Sequence, residues 1–112
     1  MGTNFDFSLH CRRSISSGAL GAGATFKWLA DAAVTAVHIS YHNMGGTALT
    51  TAASVDNAGS VIGDSSADLA ADTVEEKTTL ANTTIADGAT VLFTSGDQPC
   101  EIVLTVHSTY TA

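Results

Sequence analysis

Charge is what this chain has least of. Lys, Arg, Asp and Glu make up 13% of its 112 residues, roughly half the share of an ordinary soluble domain. A surface so poor in charge is expected to bury part of itself against copies of the chain or a larger assembly. Aromatic residues amount to 6%, a thin supply of flat rings for stacking on sugars. No apolar run approaches the roughly 18 residues of a membrane-spanning helix. Met1 to Ser14 holds Asp6, His10, Arg12 and Arg13 and lacks the continuous apolar stretch of a secretory signal. Asp6 also stands where a myristoylation signal after Met1-Gly2 would carry Ser or Thr. Cysteine is confined to Cys11 and Cys100, with no metal-type spacing. Two reduced thiols and a Cys11–Cys100 disulfide both remain open, a matter for geometry.

Basic residues are scarcest of all, and unevenly placed. Residues 1–27 carry Arg12, Arg13 and Lys27 against Asp6, a net of +2, whereas residues 28–112 carry Lys77 against ten acids, a net of −9. The acidic body repels phosphate, which excludes nucleic acid and anionic membrane as partners. For the body, that charge serves solubility. The basic start calls for another explanation.

What is present favours strands. Ten glycines and abundant Thr, Val and Ala suit turns and pleated surfaces better than helices. Phe5, Phe7 and Leu9 alternate with polar neighbours as a short strand, and the Gly/Ser-rich stretch 14–24 reads as a flexible connector. Together they define an expected N-terminal arm, residues 1–24, ahead of a body at 25–112. Strand patterns follow at 25–29, 34–43, 48–55, 60–63, 89–94 and 101–110, with 73–80 tilted from helix toward strand by its threonines. Met44 to Thr47 and Asp56 to Gly59 read as hairpin turns. Val37, Ile39 and Tyr41 are expected on one face and His38, Ser40 and His42 on the other. Ile102, Leu104, Val106 and Tyr110 are likewise set against Val103, Thr105, His107 and Thr109.

The expected fold is all-β: an antiparallel β-sandwich of about seven or eight short strands, jelly-roll in order, with the arm in front. Pattern alone does not separate jelly-roll from immunoglobulin-like order, although Trp28, Cys11 and Cys100 lack the immunoglobulin arrangement.

No chemistry emerges from the motifs. His38 and His42 lie roughly 13 Å apart if the segment is a strand, too far to share one metal ion. No Gly-x-Ser-x-Gly elbow is present. Glu75 and Glu76 are adjacent rather than opposed across a cleft, unlike a glycosidase pair. Gly18, Gly21 and Gly23 lack the Gly-Lys-Ser/Thr ending of a phosphate loop. The expectation is therefore a non-enzyme without metal or cofactor. The residues singled out are those of a partner anchor: Phe5, Phe7, Arg12, Arg13, Lys27 and Trp28, guanidiniums and rings able to meet carboxylates and apolar surface on another subunit.

The stretches Phe26–Tyr41, Gly45–Thr50 and Ile85–Val91, short Ala/Thr/Gly-rich strands with an Ala-Asp-Gly turn before a late strand, resemble those of small accessory proteins of tailed bacteriophages. These are head decoration or cement proteins and related fibre modules. The resemblance implies a β-sandwich on the outer capsid surface, made in the host cytoplasm, often trimeric, that spans joints between major capsid protein subunits. It implies no catalytic residues. The alternative from another class is a carbohydrate- or receptor-binding module of a fibre or surface protein, which would need exposed aromatic rings.

Overall fold

In a computed structural model, residues 8–111 are described, with side chains from Arg12 to Ser108. Nine strands and no helix occur among them: β1 Ser8–Leu20, β2 Thr25–Leu29, β3 Val34–Asn43, β4 Ser54–Asn57, β5 Ser60–Asp64, β6 Val74–Lys77, β7 Thr84–Ile85, β8 Thr90–Thr94 and β9 Cys100–Thr111. They form two antiparallel sheets, one ordered β1-β9-β3-β6 with β7 beside β3, the other β2-β8-β4-β5. With the two-residue β7 set aside, successive strands change sheets, except for the β4–β5 hairpin, in the interleaved order of a jelly roll. The fold is thus the expected β-sandwich.

The core lies between the sheets. Ile39 and Tyr41 of β3, Val55 of β4, Val91 and Phe93 of β8, and Ile102 and Leu104 of β9 are fully buried. Phe26 meets Phe93 edge to face, ring centroids 5.6 Å apart. The period-2 pattern placed these residues correctly: His38, Ser40 and His42 stay on the outer face of the first sheet, as do Val103, Thr105 and His107. Val37 departs from it. The ladder jumps from Ala36↔Val106 to His38↔Thr105, so Val37 is the extra residue of a bulge that resets the alternation.

The stretch expected to be a flexible connector is a strand as far as Leu20. β1 runs antiparallel along β9 from Ser8↔Thr111 to Leu20↔Cys100, with one register shift between Ser16 and Ala19. The Gly and Ser residues there build a bulge rather than a linker. Gly18 takes a positive φ of 66°, a conformation that costs glycine nothing. The Ser17 hydroxyl accepts from the Ile102 amide at 3.0 Å, and the Ser16 hydroxyl accepts from the Gly18 amide at 3.0 Å. Side chains thereby replace the ladder bonds that a bulge forfeits.

Met44 to Thr47 is not a hairpin turn, because β3 and β4 belong to different sheets. Only the second expected turn joins paired neighbours: Asn57↔Ser60 closes β4 on β5, with Ala58 at φ 49° and Gly59 at φ 95°, the two left-handed residues of a type I′ turn. Residues 48–53, read as strand, cross from one sheet to the other and carry Leu49 and Ala53 into the core.

That crossing closes one end of the sandwich. Asn43, fully buried, donates to the carbonyls of Thr47 and Leu69 and accepts from the Gly45 amide. Asp97 accepts from the Thr50 amide at 2.8 Å, the Thr51 amide at 3.0 Å and the Thr50 hydroxyl at 2.5 Å. These three bonds favour its ionised form and lower its pKa from 3.8 to about 2. The stability Asp97 contributes should be complete above the ordinary carboxylate range and lost as the pH falls from about 4 to about 2. Urea midpoints of wild type and Asp97→Asn are expected to differ at pH 6 and to converge near pH 2. A difference that stays constant with pH would argue against the clamp.

Candidate functional site

The anchor residues split between three places. Arg13 sits opposite Val106 on β9 and so faces inward. Its guanidinium grips the Asp31 carboxylate with both ends, Nη1 to Oδ2 at 3.2 Å and Nη2 to Oδ1, and lies 5.3 Å over the ring of Trp28. The planar fork of arginine suits both tasks at once. Asp31 is held ionised, its pKa lowered chiefly by the Arg13 hydrogen bond. β2 supplies Trp28 half-buried on its inner side, and the chain leaving β2 supplies Asp31. Arg13 and Asp31 then border an open cleft of about 280 Å³, which Ala32, Val34, Val106 and Ser108 complete. Asp31 escaped the sequence reading. Its one signal was that, apart from Asp6, it is the sole acid in the first 55 residues.

Arg12 points the other way. It lies opposite His107 on the outer face of the first sheet, exposed. Lys27 belongs to the outer face of the second sheet, opposite Leu92, away from both arginines. Phe5 and Phe7 lie outside the described residues. The six residues therefore do not form one surface. The pair brought together is Arg13 and Trp28.

The outer face of the first sheet carries histidines with carboxylate neighbours. His38 Nε2 is 2.9 Å from Glu76 Oε1, and His42 Nε2 is 3.2 Å from Asp72 Oδ1. Each histidine has its own acid, and among the described residues no three His, Cys, Asp or Glu side chains converge as a metal site. Cys100 is a buried free thiol. Cys11 sits across from Ser108 and Cys100 across from Leu20, which separates the two cysteines by roughly 26 Å of strand. A disulfide between them within one chain is excluded.

The remaining feature is a strand edge. β1 ends the first sheet, and no described strand pairs with its far side. Its regular part, Ser8 to Ser16 before the bulge, contains neither proline nor lysine, the usual guards of a free edge. Arg12 and Arg13 are its charges. Among the described side chains no aromatic ring is fully exposed: Tyr41 and Phe93 are buried, and Phe26 and Trp28 are half-buried.

No family model matches the chain, and no curated protein matches it in sequence. Among solved structures, the carbohydrate-binding module CBM36 in complex with calcium and xylotriose is similar over 93% of this chain and 99% of its own, at 15% identity and a TM-score of 0.42. That likeness concerns the β-sandwich architecture and assigns no residue a role.

Proposed function

We propose that the protein is a non-catalytic structural protein of a bacteriophage virion, a decoration or cement protein on the outer capsid surface. It joins neighbouring subunits, copies of itself and the major capsid protein, by taking an extended segment onto its β1 edge. The observation that carries this reading is the stretch Ser8–Ser16, whose far side pairs with no described strand and which carries two guanidiniums at the one basic region of an acidic chain. Strand addition at such an edge supplies affinity through main-chain bonds and specificity through alternate side chains. The low surface charge fits a protein whose surface is partly covered in an assembly. Jelly rolls serve capsids and lectins alike, so the architecture does not choose between them. The half-buried Trp28, covered by Arg13, offers a sugar no open ring.

Deleting residues 1–24 is a poor test, because β1 lies along β9 and carries Leu20 into the core. Arg12→Glu is better, since Arg12 is exposed on the outer face of the first sheet and has no ion pair among the described residues. Wild-type protein should be found in purified virions and should co-sediment with heads stripped of it, and Arg12→Glu should lose most of that binding. Absence from particles, together with a glycan-array signal, would replace this reading by the sugar-binding one.

A further inference from the structure

The first sheet has a second free edge. β6, Val74–Lys77, closes the side opposite β1, and no described strand pairs beyond it. Its sequence, Val74-Glu75-Glu76-Lys77, carries two acids where β1 carries two bases. The same sheet thus presents a cationic edge and an anionic one.

We infer that the β1 edge of one copy takes up the β6 edge of a second copy, antiparallel, in the register that sets Arg12 against Glu76 and Arg13 against Glu75. The inference rests on the reading of β1 as a docking edge and names its occupant.

Three features of the fold converge on this pairing. The first is direction. β1 is antiparallel to β9, β9 to β3 and β3 to β6, so a second copy continuing the sheet brings its β6 antiparallel to β1. Strict alternation then runs across the junction unbroken.

The second is the match of faces. Residues directly opposite in an antiparallel pair point to the same side of the sheet. Arg12 is on the outer face, opposite His107, and Glu76 is on that face too, opposite Ser40. Arg13 shares the inner side with Val106, and Glu75 shares it with Tyr41. One antiparallel register opposes both charge pairs with every side chain on its proper face. Parallel pairing fails, because Arg12 beside Glu76 would put Arg13 beside Lys77.

The third is an exposed apolar residue at the edge concerned. Val74 is 55% exposed on β6, and in this register it lies opposite Ser14, where a neighbouring strand covers it. Pairing β1 with β1 about a twofold axis through Arg12 or Arg13 would instead set arginine against arginine, which is destabilising, and no register of that pair offers the arginines a carboxylate. The contact is therefore head to tail, and its repetition closes a ring or extends a filament.

Glu76 already meets His38, Glu75 already accepts from the Ser66 amide and hydroxyl, and Arg13 already meets Asp31. Arg12 has no ion pair to relinquish among the described residues, and the Arg12–Glu76 pair is the one to test. Light scattering after gel filtration, with no shell present, should show wild-type mass rising above the monomer across about a hundredfold range of concentration. Arg12→Glu and Glu76→Arg should each weaken self-association about tenfold or more, since each replaces attraction by repulsion. The double variant, with the charges exchanged, should regain it. High salt should weaken the wild type as well.

Far-UV circular dichroism confirms that each variant is folded. A wild type that stays monomeric throughout, or a Glu76→Arg protein that associates as the wild type does, would overturn the inference. If Glu76→Arg keeps its mass profile while Arg12→Glu alone loses binding to stripped heads, the self-pairing falls and the shell-docking function stands. If self-association follows the charges but no variant or wild type binds heads, the function falls and the pairing stands.

Discussion

An Asn43→Leu variant is expected to be less stable than wild type by about 3–5 kcal/mol. Leucine keeps the branched outline of asparagine with bulkier methyl groups, so the change leaves no cavity and its cost is lost hydrogen bonds with some crowding. Asn43 is fully buried at the end of β3, where Nδ2 donates to the carbonyls of Thr47 and Leu69, each at 3.0 Å, and Oδ1 accepts from the Gly45 amide at 2.9 Å. Two segments far apart in sequence, 44–50 and 65–70, are tied through that side chain, beside the bond from the Leu49 amide to the Leu69 carbonyl at 2.9 Å. Leucine strands the Thr47 carbonyl and the Gly45 amide in a place closed to water and leaves the Leu69 carbonyl with the Leu49 amide alone. Each such group costs roughly 1–3 kcal/mol, carbonyls less than amides.

Asn43→Asp separates the bonds from the bulk. A carboxylate can still accept from Gly45, yet it faces the Thr47 and Leu69 carbonyls with no proton to give. That variant should be the worse of the two at neutral pH and should recover part of its loss in acid, as the carboxyl regains a proton. Urea unfolding with matched m-values would check both. A leucine variant within about 1 kcal/mol of wild type would show that the amide is not what ties the loops.

Asn43 also marks where the sequence stops being legible. Its neighbours Ile39 and Tyr41 announced themselves by alternation, and so did Ile102, Leu104 and Val106, because a half-buried strand repeats every two residues whatever its partner. Asn43 lies on the same face, but a lone amide in an apolar series looks like a strand's polar end. Its meaning depends on Leu69, which only the folded chain brings near.

The same limit applies to the crossing at 48–53. Leu49 and Ala53 are buried while Thr51 between them is exposed, so the sequence has a strand's look without a strand's burial or neighbours. Met44 to Thr47 looked like a hairpin because glycines announce a bend and not what the bend connects. Asp56 to Gly59 looked the same and is one, since β4 and β5 share a sheet. Jelly-roll order is a statement about pairing, which periodicity does not carry.

At the candidate site, Arg12 and Arg13 stood out as adjacent bases. The pleat that sends them to opposite faces follows once β1 is a strand through them, and the Gly/Ser-rich sequence beyond concealed that. Ser16, Ser17 and Gly18 compose a bulge from residues that composition assigns to a linker. The pairing of Arg13 with Asp31 crosses from one sheet to the other and had no local signature. The two charged edges were visible as residues, but they became complementary only when β1 and β6 proved to be opposite ends of one sheet.

Gly96→Ala should have the second large effect, a loss of about 2–4 kcal/mol. A Cβ at residue 96 would lie 2.2 Å from the Thr51 carbonyl oxygen and 3.0 Å from Leu49 Cδ2. The first contact is with backbone, so no side chain can swing aside to relieve it. The Gly96 carbonyl accepts from the Gly23 amide at 2.8 Å, which holds residue 96 from its other side. Relief requires that residues 49–53 draw away from 95–98, and that movement breaks the bonds from Thr50 and Thr51 to Asp97. The cost of Gly96→Ala therefore includes the cost of losing the Asp97 clamp. Gly96→Ala and Asp97→Asn should combine to less than their sum, as coupled neighbours do. Strict additivity would mean that the loop yields elsewhere. Trp28, the chain's single tryptophan, lies under Arg13 toward the opposite end of the sandwich and reports on that end alone. Below the unfolding transition its emission should match wild type in Gly96→Ala. A shift there would mean that strain at the closed end reaches the cleft, the Arg13–Asp31 pair and the β1 edge that adjoins them.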